Sequence, residues 1–271
     1  MGREKRPKLN LLQRSLPEGL LVDSAWLERR GYSSALRSKY VAHGWLESPV
    51  RRVYRRPIAR LSDAATPARL QWQHIVISLQ TLLACPVHVG GRTALELEGY
   101  AHYLTPAGPR EIHLYGPKAP PGWLSKLSVR FVCHNAGRLF QKAKPDVVRA
   151  SFKRQTWGQW EWPLVISTPE RAVLELLDEV PHRETFHQAD VLFEGLRNLS
   201  PRRVQTLLVA CRSVKVKRLF LWFAERHNHA WLKALNRKRI GLGSGKRMLV
   251  RGGKLDTRFN ITVPESLSAG G

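Results

Sequence analysis

The feature that most constrains the fold is residues 20–57, where signals for two short helices and a two-stranded ribbon follow one another closely. Asp23 is a typical N-cap residue, and Gly31 suits the left-handed turn that often ends a helix. Ser33 can cap a second helix, which we expect to end at residue 43. This order of elements predicts a winged helix-turn-helix, a fold that places its second helix in the major groove of DNA.

The second predicted helix has two different faces. At 100° per residue, Leu36 and Tyr40 fall on one side, which we expect to be buried. The opposite side carries short polar side chains around one arginine, and such a set can form hydrogen bonds with base edges. Together with the neighbouring lysine, the predicted DNA-reading residues are Ser34, Arg37, Ser38 and Lys39.

A predicted ribbon follows the second helix. Residues 45–47 and 52–55 alternate as short strands around a turn at residues 48–51. The ribbon carries four arginines that we expect to contact phosphates: Arg51, Arg52, Arg55 and Arg56. The alternative is a small helical subdomain with a solvated basic loop. We favour the winged helix because the caps, the turn and the ribbon all agree with it.

The charge of the chain indicates a polyanionic partner. Its 271 residues carry a formal net charge of +24. Residues 1–60 contain 14 Lys and Arg against 5 Asp and Glu, residues 61–200 contain 15 against 13, and residues 201–258 contain 16 against 2. Two basic regions therefore flank a nearly neutral middle, which favours two contact surfaces on a folded protein.

Beyond residue 57 the pattern changes to mixed strands and helices, and we place a domain boundary near residues 58–66. Predicted strands cover residues 86–90, 111–115, 127–133, 148–157 and 161–167, and predicted helices open at Thr66, Arg92, Thr168 and Ser200. A closing hairpin is predicted over residues 246–263, with its turn at Gly252 and Gly253. The predicted fold class is α+β: a winged helix-turn-helix domain over residues 1–60, then a larger mixed α/β domain over residues 61–271 with a helical, basic C-terminal part.

The C-terminal basic region is expected to present its cations outside a helical core. One helix should expose both Lys215 and Arg218, because its apolar residues recur on the opposite side. The predicted second contact surface consists of Arg202, Arg203, Lys215, Arg218, Arg237, Lys238, Arg239, Lys246 and Arg247.

No catalytic centre is predicted. Residues 241–246 (GLGSGK) are similar to a nucleotide phosphate loop, but Ile240 stands where the first glycine is needed, and Arg247 replaces the residue that would bind magnesium. We therefore interpret the segment as a basic turn. Asp146 and Glu161 are similar to part of a metal-dependent nuclease site. The catalytic lysine of such a site is expected two residues after Glu161, and Pro163 stands there instead. We expect no enzymatic activity, no cofactor and no metal.

The expected location is the cytoplasm. The three cysteines, Cys85, Cys133 and Cys211, lie far apart without a CxxC pattern, as is typical of free thiols in a reducing compartment. Residues 1–8 lack the apolar run of a signal peptide, and no stretch approaches the ~18 apolar residues of a transmembrane helix. We expect no membrane partner.

With these segments in view, the chain resembles the AbiE-type antitoxin family, the transcriptional regulators of type IV toxin–antitoxin systems. The resemblance rests on the order of five segments: Gly44-Trp45-Leu46 with Tyr54, then residues 91–95, 168–174, 242–247 and 260–264. It implies an N-terminal domain that binds double-stranded DNA at promoter inverted repeats, and a C-terminal domain that counters a nucleotidyltransferase toxin. The second contact surface would then be an antitoxin surface, which acts on the toxin or on RNA.

Two other functions remain open at this point. The first is a divalent-metal-dependent nuclease that uses Asp146 and Glu161, which a metal-dependent cleavage assay would reveal. The second is an RNA-binding factor, which sequence-specific binding to duplex DNA would argue against.

Overall fold

The computed structural model describes residues 5–58, 70–100, 111–140 and 144–268. These residues form two compact units. Unit 1 comprises the described parts of Met1–Val87, Lys118–Phe131 and Gln155–Leu164, and unit 2 those of His88–Pro117, Val132–Arg154 and Val165–Gly271. Almost all of the domain boundary predicted at residues 58–66, with the helix start at Thr66, lies outside the described residues. Among the described helices, none is long and apolar enough to cross a membrane.

Unit 1 contains the predicted helix-turn-helix and wing. Its named elements are α1 (Lys5–Ser15), β1 (Leu21–Asp23), α2 (Ser24–Glu28), α3 (Ser34–Ala42), β2 (Glu47–Val50), β3 (Val53–Arg55) and α4 (Trp72–Thr81). The strands form an antiparallel sheet in the order β1-β3-β2. The sheet has one strand more than the predicted ribbon, because residues 21–23 pair with β3.

Local signals set the ends of α2 and α3. The carboxylate of Asp23 accepts a hydrogen bond from the backbone N–H of Trp26 at 2.8 Å, and the hydroxyl of Ser33 accepts one from Leu36 at 3.3 Å. Both predicted N-caps are confirmed. Trp26 and Tyr40 are almost completely buried, and the apolar area of their rings stabilises unit 1. The buried face of α3 is therefore fixed against the rest of unit 1.

Unit 2 contains a mixed sheet and most of the later helices. The remaining elements are β4 (His88–Val89), α5 (Gly91–Leu97), β5 (Ile112–Gly116), β6 (Phe131–Asn135), α6 (Pro145–Ser151), β7 (Phe152–Trp157), β8 (Trp162–Ser167), α7 (Pro169–Glu179), α8 (Phe186–Gly195), α9 (Pro201–Ala210), α10 (Val214–Arg226), β9 (Lys254–Asp256), β10 (Ile261–Val263) and α11 (Glu265–Ser268). Of these elements, residue 131 of β6, residues 155–157 of β7 and residues 162–164 of β8 belong to unit 1. The larger sheet has the order β6-β5-β4-β8-β7, with β4 antiparallel to β5 and parallel to β8. Mixed strands and helices confirm the predicted α+β class.

Several predicted elements differ from the structure. Residues 145–151 form α6, so the strand predicted from residue 148 begins only at Phe152. Pro145 at the first helical position explains the helix, since it favours helix initiation. The strand predicted from residue 127 begins at Phe131. The closing hairpin turns between β9 and β10 rather than at Gly252 and Gly253, because Arg247 bridges Ile261 in parallel and cannot form the antiparallel arm.

The core of unit 2 encloses a buried polar network. Glu175 on α7 is completely buried, and its carboxylate accepts hydrogen bonds from Arg171 Nε at 2.7 Å, Ser167 Oγ at 2.8 Å and the Gly91 N–H at 3.1 Å. His88 Nε2 lies 2.9 Å from the same carboxylate. Burial alone would raise the pKa of Glu175, but Arg171 and His88 outweigh it and lower the pKa to about 2. The network therefore joins α7 to the start of α5 and to two strands.

Candidate nucleic-acid interface

The exposed face of α3 carries three of the four predicted reading residues. Ser34, Ser38 and Lys39 are exposed, while Tyr40 points into unit 1. Short hydroxyl side chains can donate to or accept from base edges, and a lysine can reach a base or a phosphate. The face is therefore chemically suited to a DNA groove, and the role of these residues stays a prediction.

Arg37 is not on that face, so the expectation that its guanidinium is exposed was wrong. The residue is 5% exposed. Its Nη1 donates to the backbone oxygen of Tyr32 at 2.8 Å, and its Nη2 lies 2.9 Å from the carboxylate of Glu28 on α2. A long side chain can cross from one side of a helix to its neighbour, and a helical projection does not record this. Arg37 therefore holds α3 against α2 and does not lie on the exposed face.

The tip of the wing presents two of the four predicted phosphate-contacting arginines. Arg51 and Arg52 are exposed in the turn between β2 and β3. Arg52 has φ of 66°, a left-handed conformation that tight turns require. Both guanidinium groups are free to approach a phosphate backbone, because none of the described residues forms an ion pair with them.

The other two wing arginines serve the fold of unit 1. Arg55 is 4% exposed, and its Nε donates to the carboxylate of Glu47, its cross-strand neighbour, at 2.8 Å. Burial and the charge of Arg55 lower the pKa of His74 to about 4. Arg56 is half-buried and pairs with Glu18 at 2.9 Å. The prediction that these two arginines lie on the phosphate-facing surface was therefore wrong for Arg55, whose guanidinium points inward.

The sequence interpretation missed an exposed aromatic residue beside α3. Trp45 was assigned to a strand, but it precedes β2 and is 38% exposed. Its ring packs against Tyr40 and His43, with ring centroids 5.3 and 5.1 Å away. The available signal was its position directly after Gly44, which has φ of +69° and ends the helix.

The predicted antitoxin surface separates into exposed and buried cations. Seven of its nine side chains are exposed: Arg202, Arg203, Arg237, Lys238, Arg239, Lys246 and Arg247. Arg237 pairs with Glu225, and Arg203 lies 3.9 Å from Glu170. Lys238 and Arg239 have no ion pair with any described residue, so both are free to meet a partner.

The remaining two, Lys215 and Arg218, were wrongly expected on the outside of α10. Lys215 is half-buried, and its ammonium donates to the backbone oxygens of Asp178 at 2.6 Å and Val180 at 2.8 Å. Arg218 is 2% exposed. Residues 216–224 of α10 are all buried, so this helix has no solvent-facing side over that length. An apolar stripe indicates one buried face, but it does not show that the opposite face is free.

The two carboxylates of the rival nuclease interpretation are both exposed. Asp146 lies in the first turn of α6, and Glu161 lies in the turn before β8 with φ of 48°. Within residues 5–58, 70–100, 111–140 and 144–268, no group of three His, Cys, Asp or Glu side chains is arranged to hold a metal ion. Nothing in these ranges therefore adds support to the nuclease alternative.

Two family models match successive parts of the chain. Residues 5–106 match the family described as transcriptional regulator, AbiEi antitoxin N-terminal domain, and residues 109–264 match the family described as transcriptional regulator, AbiEi antitoxin, type IV TA system. The crystal structure of the RV2827C protein from Mycobacterium tuberculosis is similar in fold, with a TM-score of 0.52 and 16% identity over 94% of this chain and 89% of that chain. A search among curated proteins finds no match.

Proposed function

Because the chain belongs to the AbiEi family of antitoxin transcriptional regulators of type IV toxin–antitoxin systems, we propose that it represses the promoter of its own toxin and antitoxin genes. The observation that carries this proposal is the exposed face of α3 beside the exposed wing tip. Ser34, Ser38 and Lys39 would read bases in the major groove, and Arg51 and Arg52 would contact the phosphates alongside. The DNA target would be an inverted repeat in double-stranded DNA.

The second part of the proposal is antitoxicity. The seven exposed cations of the antitoxin surface would counter a nucleotidyltransferase toxin by binding, without a catalytic step. A surface of this charge fits an anionic partner. Among anionic partners, an RNA that the toxin would modify carries the highest density of negative charge. The concentration of 16 Lys and Arg within residues 201–258 supports this, since solubility alone does not require such self-repulsion.

Arg51→Ala tests the DNA-binding part. The variant should bind its own promoter duplex and a shuffled duplex more weakly by similar factors, because the lost contact is to phosphate. The slope of log affinity against log salt should fall by about one. Fluorescence anisotropy over a salt series measures both quantities.

Lys126→Ala is the matched control for Arg51→Ala. Lys126 is an exposed cation of unit 1 far along the chain from the wing, and its removal should leave affinity and salt slope unchanged. Wild-type protein should prefer the promoter duplex. Equal binding of wild-type protein to both duplexes would overturn the proposed repression.

Lys238→Glu combined with Arg239→Glu tests the antitoxin part. Cells that express the toxin should lose protection, because two unpaired cations of the surface become acidic. Arg237 is left unchanged, since reversing it would place two carboxylates together at Glu225. The measurement is growth after toxin induction at equal antitoxin level.

Lys144→Glu combined with Arg149→Glu is the control for that experiment. Both residues are exposed in or beside α6, and the pair makes the same change in net charge. Protection should persist in this control. Full protection by the Lys238→Glu, Arg239→Glu variant would show that these cations have no part in antitoxicity.

A further inference from the structure

Arg218 organises the loop of residues 241–247 from inside unit 2. Its guanidinium donates to three carbonyl oxygens of the loop, from Leu242 at 2.9 Å, Gly243 at 3.1 Å and Gly245 at 2.7 Å. A fourth hydrogen bond reaches the carbonyl of Asn260 at 3.2 Å. No carboxylate of a described residue lies within ion-pair distance of Arg218. The loop therefore turns its carbonyl oxygens inward to a buried positive charge.

The inward carbonyls determine where the N–H groups of the loop point. In a trans peptide the C=O and the following N–H are antiparallel, and these peptide bonds are trans. The N–H groups of Gly243, Ser244 and Lys246 consequently point away from the guanidinium. No described residue accepts a hydrogen bond from any of the three, and all three residues are exposed. The loop presents a set of unsatisfied donors to solvent.

Two glycines make this conformation possible. Gly243 has φ of +62° and Gly245 has φ of +76°, a region that side chains with a Cβ rarely adopt. A Cβ on Gly243 would also lie 3.1 Å from Val214 on α10. Alternating backbone conformations of this kind form concave anion-binding nests in other proteins. The conformation is therefore fixed by the sequence of the loop and by α10 together.

Lys217, the neighbour of Arg218 on α10, provides a second and independent observation. It is only 8% exposed, and its ammonium lies 3.9 Å from the position of a Cβ on Gly241, at the start of the loop. No hydrogen bond or ion pair from this ammonium to a described residue is formed. The ammonium group itself still reaches solvent beside the loop, so it is available to an anion bound there.

We propose that residues 241–247 and Lys217 bind a phosphate group of a nucleic-acid backbone. The outward N–H groups, the Ser244 hydroxyl and the ammonium groups of Lys217 and Lys246 supply the donors, and Arg218 is a positioning residue. The site differs from a nucleotide phosphate loop in two ways. A buried arginine holds the backbone of the loop, and no hydroxyl that could bind magnesium follows Lys246.

A backbone phosphate fits better than a free nucleotide. Further exposed cations, Arg247, Arg251 and Lys254, follow along the same segment, and successive cations match successive phosphates. The inference deepens the proposed antitoxin function and rests on it for its biological role, since it names the ligand chemistry of that surface. Phosphate binding itself can be measured independently of the toxin.

Lys217→Met combined with Lys246→Gln tests the site in the full chain. A fluorescein-labelled RNA hairpin serves as the probe, and all proteins carry Lys39→Ala and Arg51→Ala so that the wing contributes little. Affinity should fall on the order of tenfold, and the slope of log affinity against log salt should fall by about two. A labelled random DNA duplex should show a similar loss, because the contact is to phosphate.

Lys233→Met combined with Lys144→Gln is the matched control, with the same substitutions at exposed lysines outside the loop. It should change affinity less than twofold. Thermal unfolding separates binding from folding: Lys217→Met alone should be about as stable as wild type without RNA, since its ammonium has no hydrogen bond or ion pair to a described residue. Added RNA should then stabilise wild type more than Lys217→Met.

Two results would overturn the inference, and a third would separate the phosphate site from antitoxicity. The first is an equal loss of affinity in the test and control pairs. The second is displacement of the RNA by ATP at an equal concentration of phosphate groups, which would assign the loop to free nucleotides. The third is full protection from the toxin by a Lys217→Met, Lys246→Gln variant that no longer binds RNA. This result would leave the phosphate site in place and show that it has no part in antitoxicity. Failure of the Lys238→Glu, Arg239→Glu experiment leaves the binding measurements unaffected, so the two proposals can fail separately.

Discussion

Glu175→Ala is expected to lower the free energy of unfolding by about 3–5 kcal/mol, the largest effect of any single change considered for this protein. The carboxylate is completely buried and satisfies Arg171, Ser167 and the N–H of Gly91. Its removal leaves the guanidinium of Arg171, itself 6% exposed, as an uncompensated buried charge. It also removes the acceptor at the start of α5 and leaves a cavity.

Chemical unfolding followed by circular dichroism measures this loss. Glu194→Ala on α8 is the control, because Glu194 is exposed and its removal should change stability by less than about 0.5 kcal/mol. Glu175→Gln should fall between the two, since it keeps the shape and part of the hydrogen bonding but loses the charge. A Glu175→Ala protein as stable as the control would mean that the network contributes nothing to unit 2.

Arg37→Ala is expected to destabilise unit 1 by about 2–3 kcal/mol rather than to alter DNA specificity. The substitution removes a charge-assisted hydrogen bond to the Tyr32 carbonyl and the packing of a long buried side chain between α2 and α3. The salt bridge to Glu28 contributes less, because that carboxylate is largely exposed. At temperatures where the variant is folded, its preference for the promoter over a shuffled duplex should match wild type.

Arg29→Ala provides the comparison for Arg37→Ala. Arg29 is exposed at the end of α2, so the same chemical change should cost less than about 0.5 kcal/mol there. Thermal unfolding and binding to the two duplexes are measured on the same preparations. A stable Arg37→Ala protein with reduced promoter preference would restore Arg37 to the reading surface and contradict its observed burial.

The sequence by itself determined the features of unit 1 that depend on neighbours a few residues apart. Asp23 and Ser33 cap the helices that follow them because each hydroxyl or carboxylate reaches an N–H only three residues ahead. The class of the fold followed from the order of such signals along the chain, and the family from its resemblance in five sequence segments. The same short range explains why Ser34, Ser38 and Lys39 could be placed on one face of α3.

Only the tertiary structure decided which cations are free. In a helical projection, Arg37 on α3 and Arg218 on α10 each fall on the polar face of their helix. Both are nevertheless buried, because α2 covers Arg37 and residues 242–260 cover Arg218. The partners of β3 in β1 lie 30 or more residues away along the chain, and those of Arg218 lie 24 or more away, so no local pattern records them. Periodicity indicates which residues of an element lie together, whereas the burial of each face depends on what packs against it. Long side chains with several donors, such as arginine, are the residues for which that difference matters most.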